Sequence, residues 1–74
     1  MFTIIQHQGA GNLLVESKTP EGALFSLYLK NGCCLAKKNI QQGMNFITVL
    51  PCGSYKFIVT LYNQIAQEGE IVVQ

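Results

Sequence analysis

Apolar and polar side chains alternate with a period of two along most of this 74-residue chain, and turn-forming residues interrupt the alternation repeatedly. A β-strand sends successive side chains to opposite faces of its sheet, so this period indicates strands with one buried face. Short strands separated by turns about every eight to twelve residues are typical of sandwiches and barrels. We therefore predict an all-β fold, an antiparallel β-sandwich of about seven strands that forms a single domain over residues 1–74.

Seven segments carry the strand pattern. We predict strands over Phe2–His7, Leu13–Lys18, Ala23–Lys30, Cys33–Lys38, Met44–Leu50, Ser54–Tyr62 and Glu68–Val73. The fourth segment has an alternative, because residues 35–42 also fit one or two helical turns closed by Gly43. Between the third and fourth, Asn31-Gly32 predicts a two-residue type I′ turn, since both residues accept a positive φ.

The parity of the alternation assigns the inner face of each strand. The side chains that we expect in the core are Leu13, Val15, Ser17, Ala23, Phe25, Leu27, Leu29, Tyr55, Phe57, Val59 and Leu61. The fifth segment differs, because Phe46 and Leu50 share one face while Ile47 and Val49 share the other. We expect this strand to be covered on both faces.

The composition limits the partners. Hydrophobic residues make up 49% of the chain and charged residues 12%, which favours a packed core over disorder. A net charge of +1 provides no field to attract nucleic acid or an anionic membrane. We expect no nucleic-acid partner and, without a run of about eighteen apolar residues, no membrane insertion. The amino terminus lacks signal-peptide features, so we expect a cytoplasmic protein if the chain is complete, and an envelope or surface location if it is a fragment.

Two segments resemble known β-sandwich families. Gly53-x-Tyr55-x-Phe57 resembles the tyrosine corner of immunoglobulin-like domains, where a tyrosine early in the sixth strand bonds back to a nearby loop. Residues 11–23, with their Pro-Glu-Gly-Ala turn, and residues 50–57, with Leu-Pro-x-Gly-x-Tyr, resemble the bacterial PEGA domain. Both resemblances imply an immunoglobulin-like β-sandwich without catalysis, with a role in recognition, spacing or assembly.

The residues that could support catalysis are few. His7 is the only histidine, and the chain has no aspartate to orient it as a general base. Cys33, Cys34 and Cys52 lie in apolar stretches and are expected to be small buried hydrophobes, although a disulfide from Cys33 or Cys34 to Cys52 stays open. Adjacent cysteines in a strand point to opposite faces and could not share a metal. We predict no enzyme activity, no metal and no cofactor.

A candidate binding surface follows from the immunoglobulin-like resemblance, in which the third and sixth strands are neighbours. By parity, Tyr28 and Tyr62 both lie on the outer face of that sheet, or else pack against each other across strands. The candidate binding residues are Tyr28, Tyr62, Lys30, Lys56 and Thr60, and Ser26 and Ile58 share the face. We predict protein association, including self-association, through this face or through an exposed edge strand. The alternative is carbohydrate binding by Tyr28 and Tyr62.

Two apolar segments are the candidate edge strands. Phe2–Ile5 and Ile71–Val73 contain no charged residue that would prevent pairing with another chain. The sequence therefore predicts that a partner strand could add to the sheet at either segment.

Overall fold

The computed structural model describes residues 2–7 and 11–73, which form two antiparallel sheets. The strands are β1 (Phe2–His7), β2 (Asn12–Ser17), β3 (Ala23–Leu29), β4 (Cys34–Ile40), β5 (Gly43–Val49), β6 (Gly53–Leu61) and β7 (Gln64–Val73). The three-stranded sheet has the order β1-β2-β5, and the four-stranded sheet has the order β4-β3-β6-β7. The predicted all-β class with seven strands in a sandwich-like arrangement is confirmed.

The fourth segment is a strand, so the helical alternative for residues 35–42 is wrong. Pairing with β3 over its whole length, from Ala23 opposite Ile40 to Tyr28 opposite Cys34, determines this outcome. No helix in the described part of the chain is long and apolar enough to cross a membrane.

One hydrophobic core joins the two sheets. The largest fully buried side chains are Phe25, Leu13, Leu27, Ile40, Val15 and Val59. Most residues predicted to face inward are buried, while Leu29 and Leu61 pack against the core from its margin. The rings of Phe25 and Phe57 stack with centroids 5.8 Å apart and planes 9° from parallel. This pair lies at the centre of the four-stranded sheet, where β3 pairs with β6.

A glycine in β7 makes room for this stack. Gly69 pairs directly with Phe57, and a Cβ atom at Gly69 would lie 3.0 Å from Phe57 Cε1 and 3.1 Å from its Cζ. Carbon atoms in contact are normally about 3.5–4.0 Å apart. The absent side chain therefore lets β7 pair with β6 beside a full-sized aromatic ring.

The side chain of Asn45 fixes the connection between the two sheets. Its Oδ1 accepts a hydrogen bond from the Gln41 amide at 3.0 Å, and its Nδ2 donates to the Gln41 carbonyl at 2.8 Å. The same Nδ2 donates to the carbonyl of Val15 in β2 at 3.2 Å. These bonds tie the crossing segment after β4 to the neighbouring strand of the other sheet.

The hydrogen bond that the tyrosine-corner resemblance implies is present. The Tyr55 hydroxyl donates to the carbonyl of Pro51 at 2.7 Å, and the Tyr55 side chain is buried. Gly53 adopts a φ of 149°, in a region that strongly favours glycine, and it lies against the Tyr55 ring. The bond satisfies a carbonyl where the chain leaves β5 and enters β6.

The hairpin between β3 and β4 differs from the prediction. Of the two residues Asn31 and Gly32, only Gly32 has a positive φ, so they do not form the predicted type I′ turn. Gly32 donates its amide to the Leu29 carbonyl at 2.9 Å, and the Leu29 amide donates to the Cys33 carbonyl at 2.8 Å. The loop therefore has three residues, a turn followed by a glycine bulge. Asn31 Oδ1 accepts a hydrogen bond from the Cys33 amide, which favours this geometry.

The boundary between the last two strands also differs from the prediction. Tyr62 and Asn63 form a two-residue turn with φ values of 54° and 61°, and β7 already begins at Gln64. The sequence did not reveal this because Val59 pairs with Gln67 and Thr60 with Ile65, which leaves Ala66 as an extra residue that breaks the alternation. The glycines of Gly9-Ala10-Gly11-Asn12 also predict a turn that ends the first strand, and residues 9 and 10 of this turn lie outside the described residues.

The fifth strand is covered on one face only. Ile47 is buried, but Phe46 is 50% exposed, so the expectation that both faces are covered is wrong. Leu50 is nevertheless buried, although its number has the same parity as that of Phe46. Leu13 pairs with Thr48 and Leu14 with Phe46, so Ile47 is an extra residue that reverses the alternation before Leu50.

Replacement of Tyr55 by phenylalanine tests the hydrogen bond between the Tyr55 hydroxyl and the Pro51 carbonyl. Y55F removes one hydrogen bond and keeps the ring, so the free energy of unfolding is expected to fall by about 1 kcal/mol in urea denaturation. Y28F is the matched control, because Tyr28 is only partly buried and makes no side-chain hydrogen bond to other described residues. Equal effects of the two changes would contradict the assigned role of the Tyr55 hydroxyl.

Candidate functional site

The outer face of the four-stranded sheet carries most of the predicted binding residues. β3 and β6 are neighbours, as predicted, with Tyr28 opposite Lys56 and Leu24 opposite Thr60. Lys56 also faces Glu70 on β7. A shallow pocket of about 310 Å³ beside this pair is lined by Lys30, Ser54, Tyr55, Lys56 and Glu70. Lysine and glutamate thus alternate here, and the face provides no concentrated charge of one sign.

Tyr62 lies elsewhere. It occupies the turn between β6 and β7 and is 75% exposed, so it is not on the strand face where parity placed it. Tyr28 pairs with Lys56, six residues before Tyr62, which corresponds to a separation of roughly 20 Å along the sheet. The structure therefore does not bring the two tyrosines together. Ser26, also predicted on this face, is buried at 4% exposure.

Tyr62 instead stands beside a cleft of about 440 Å³ at one end of the four-stranded sheet. The residues that line the cleft are Gly22, Ala23, Leu24, Asn39, Ile40, Gln41, Thr60, Tyr62 and Asn63. Among the predicted site residues, this cleft joins Thr60 with Tyr62. Asn39, Gln41 and Asn63 were not predicted. Asn39 at the end of β4 and Gln41 just after it come near the turn at Tyr62 only through the pairing of β4 with β3 and of β3 with β6.

One carboxylate adjoins Tyr62. The Thr19 hydroxyl donates a hydrogen bond to Glu21, and this bond is the main cause that lowers the pKa of the Glu21 carboxyl below its ordinary value. A hydrogen bond with the Tyr62 hydroxyl lowers the pKa further by a smaller amount. Glu21 is fully exposed, so these bonds orient the turn between β2 and β3 rather than bury a charge.

The outer face of the three-stranded sheet carries an apolar patch beside Glu16. Phe46 pairs with Leu14, and Met44 pairs with Glu16. Met44 is 56% exposed and Phe46 is 50% exposed. We call Leu14, Met44 and Phe46 the apolar face. No sequence pattern separated these side chains from core residues, because alternation alone does not tell which face is covered.

Lys38 protects the free edge beside the apolar face. Its Nζ donates a hydrogen bond to the Phe46 carbonyl and lies 5.8 Å from the centre of the Phe46 ring. A lysine reaches from β4 to β5 and thus occupies an edge carbonyl that an added strand would need. β1 and β7 are edge strands, as predicted for Phe2–Ile5 and Ile71–Val73.

The side chains that the sequence analysis considered for catalysis or metal binding are those of the three cysteines and His7. Cys33, Cys34 and Cys52 are free and exposed, so the expectation of buried cysteines is wrong, and none forms the disulfide that was left open. Residues 2–7 and 11–73 contain no cluster of three or more potential metal ligands. His7 ends β1, and its side chain lies outside the described part.

Comparison with known protein families, with curated proteins and with solved structures gives no match for this chain.

The pKa of Glu21 tests the geometry next to the cleft. T19V is expected to raise the pKa toward the ordinary value for glutamate, and Y62F is expected to raise it less, since Thr19 is the larger cause. The carboxylate form is the one that the folded protein favours. Its contribution to stability is therefore present above the pKa of the unfolded chain and is lost as the pH falls through the lower folded pKa. An NMR titration of the Glu21 carboxyl carbon measures this, and an unchanged pKa in T19V would contradict it.

Proposed function

We propose that this chain is a non-catalytic association module with an immunoglobulin-like fold, and that the apolar face binds a second copy of the chain. The observation that carries the proposal is the exposure of Met44 and Phe46 next to each other on the outer face of one sheet. Large apolar side chains grouped on a surface are typical of protein interfaces. Aromatic residues and methionine are also enriched in interface cores.

The strand order supports the immunoglobulin-like part of the proposal. The first, second and fifth strands share one sheet, and the third, sixth and seventh share the other, as in immunoglobulin-like domains. The hydrogen bond from Tyr55 to Pro51 agrees with the tyrosine corner. The Pro20–Gly22 turn joins β2 to β3 where the PEGA resemblance implies it, so we retain PEGA-like as part of the proposal.

The charges around the apolar face favour a second copy as the partner. Glu16 lies beside Met44, and Lys38 lies beside Phe46, so the face has one acidic and one basic residue at its margin. A two-fold interface places the same surface on both subunits, so a patch that holds both an acidic and a basic residue is complementary to itself. Glu16 of one copy can then meet Lys38 of the other. The net charge of +1 adds little repulsion between copies.

The contacts of Lys38 favour association through the face over strand addition at β5. The Phe46 carbonyl already accepts a hydrogen bond from Lys38, so a strand added at this edge would have to displace the lysine. The Phe46 ring, in contrast, remains half exposed on the outer face. Association by stacking of two apolar faces leaves the Lys38 hydrogen bond intact.

Replacement of Phe46 by serine tests this proposal. F46S removes the largest side chain of the apolar face from both copies, and we expect the dissociation constant of the dimer to rise about 10- to 100-fold. Sedimentation equilibrium from micromolar to millimolar concentration measures the change.

V72S is the matched control, because Val72 has the same 50% exposure but lies on β7 in the other sheet. It is expected to leave the dissociation constant unchanged. A wild-type chain that stays monomeric up to millimolar concentration would refute the proposal. A larger effect of V72S than of F46S would also refute it and would assign association to the β7 edge.

A further inference from the structure

Tyr62 occupies a backbone position that does not suit a tyrosine. It is the first residue of a two-residue turn and has a φ of 54°. Asparagine and glycine are preferred there, because other side chains crowd the backbone in the left-handed conformation. The ring is 75% exposed, so burial in the core does not compensate for the strain. Strained backbone is often retained where a side chain has a function. The conformation of Tyr62 therefore indicates a function for its side chain at the adjacent cleft.

The cleft beside Tyr62 has neutral polar walls. Among the described residues that line it, Asn39, Gln41 and Asn63 carry amides and Thr60 carries a hydroxyl, and none carries a charge. Amides and hydroxyls both donate and accept hydrogen bonds, as the hydroxyls of a sugar do. The volume of about 440 Å³ falls in the range of small-molecule sites.

Regular structure holds the polar groups in place. Asn39, Leu24 and Thr60 form one row across β4, β3 and β6, because Leu24 pairs with both of the others. The Gln41 backbone is bonded on both its amide and its carbonyl to the Asn45 side chain. Side chains on paired strands keep their geometry better than those on free loops, so the site needs little ordering when a ligand binds.

We propose that this cleft binds a neutral sugar, with the Tyr62 ring against the apolar face of the sugar ring. Asn39 and Thr60 hydrogen-bond to the sugar hydroxyls. Sugar binding at this cleft is independent of the proposed function. The cleft lies on the four-stranded sheet, whereas the apolar face lies on the three-stranded sheet. The cleft also replaces the predicted platform of Tyr28 and Tyr62, which are too far apart to contact one sugar ring.

The test is an NMR titration of the full chain with glucose, galactose, mannose, N-acetylglucosamine and their linear tetrasaccharides. Each is added to about 10 mM, above the millimolar dissociation constant expected for a shallow site. At least one sugar is expected to shift the amide signals of residues 22–24, 39–41 and 60–63.

The Y62N variant separates a binding role of the ring from a structural one. Asparagine suits the turn, so the melting temperature is expected to rise by about 2–5 °C, while the sugar-induced shifts fall at least tenfold. Y28A is the control and is expected to keep the shifts. The proposal is overturned if no sugar shifts these signals, if Y62N keeps the shifts, or if Y62N lowers the melting temperature, since the last result would show that the ring serves the fold.

Discussion

The stack of Phe25 on Phe57 is the contact on which the rest of this small domain depends. It joins the two central strands of the larger sheet, and both rings belong to the same core as Leu13 and Val15 of the other sheet. A domain of 74 residues buries a smaller share of its unfolded surface than a larger domain does, so each large core residue accounts for much of its stability. Gly69 accommodates the same contact, because a Cβ atom there would lie 3.0 Å from the Phe57 ring, which would have to shift.

The arrangement of β7 connects this core to the surface. Once Gly69 is opposite Phe57, the register continues through the extra residue Ala66 to the two-residue turn at Tyr62. The core packing thus determines the position of Tyr62, the most exposed tyrosine, in the turn between β6 and β7. The two outer faces then differ in character. The three-stranded sheet exposes Met44 and Phe46 side by side, while the four-stranded sheet exposes lysines, glutamates and amides together with separate apolar side chains such as Val72. We assign a separate binding role to each face for this reason.

The sequence predicted the fold class and most of the core, because period-two alternation directly reflects which side chains face inward. It failed where the backbone departs from regular pairing. The extra residues Leu35, Ile47 and Ala66 each shift the pairing register by one, and no side-chain pattern predicts them. The candidate binding site was the least accurately predicted feature. Tyr62 lies in a turn, and its neighbours Asn39 and Gln41 come more than twenty residues earlier in the chain. Only the pairing of strands brings these groups together.

The free energy of unfolding of G69V tests most directly whether the Phe25–Phe57 stack governs the fold. Valine normally stabilises a strand relative to glycine. The account predicts the opposite sign here, a loss of about 1–3 kcal/mol in urea denaturation, because the new side chain would overlap the Phe57 ring. In an F57L background, which removes the ring, the same change should cost much less. A G69V protein as stable as the original, or more stable, would contradict the account.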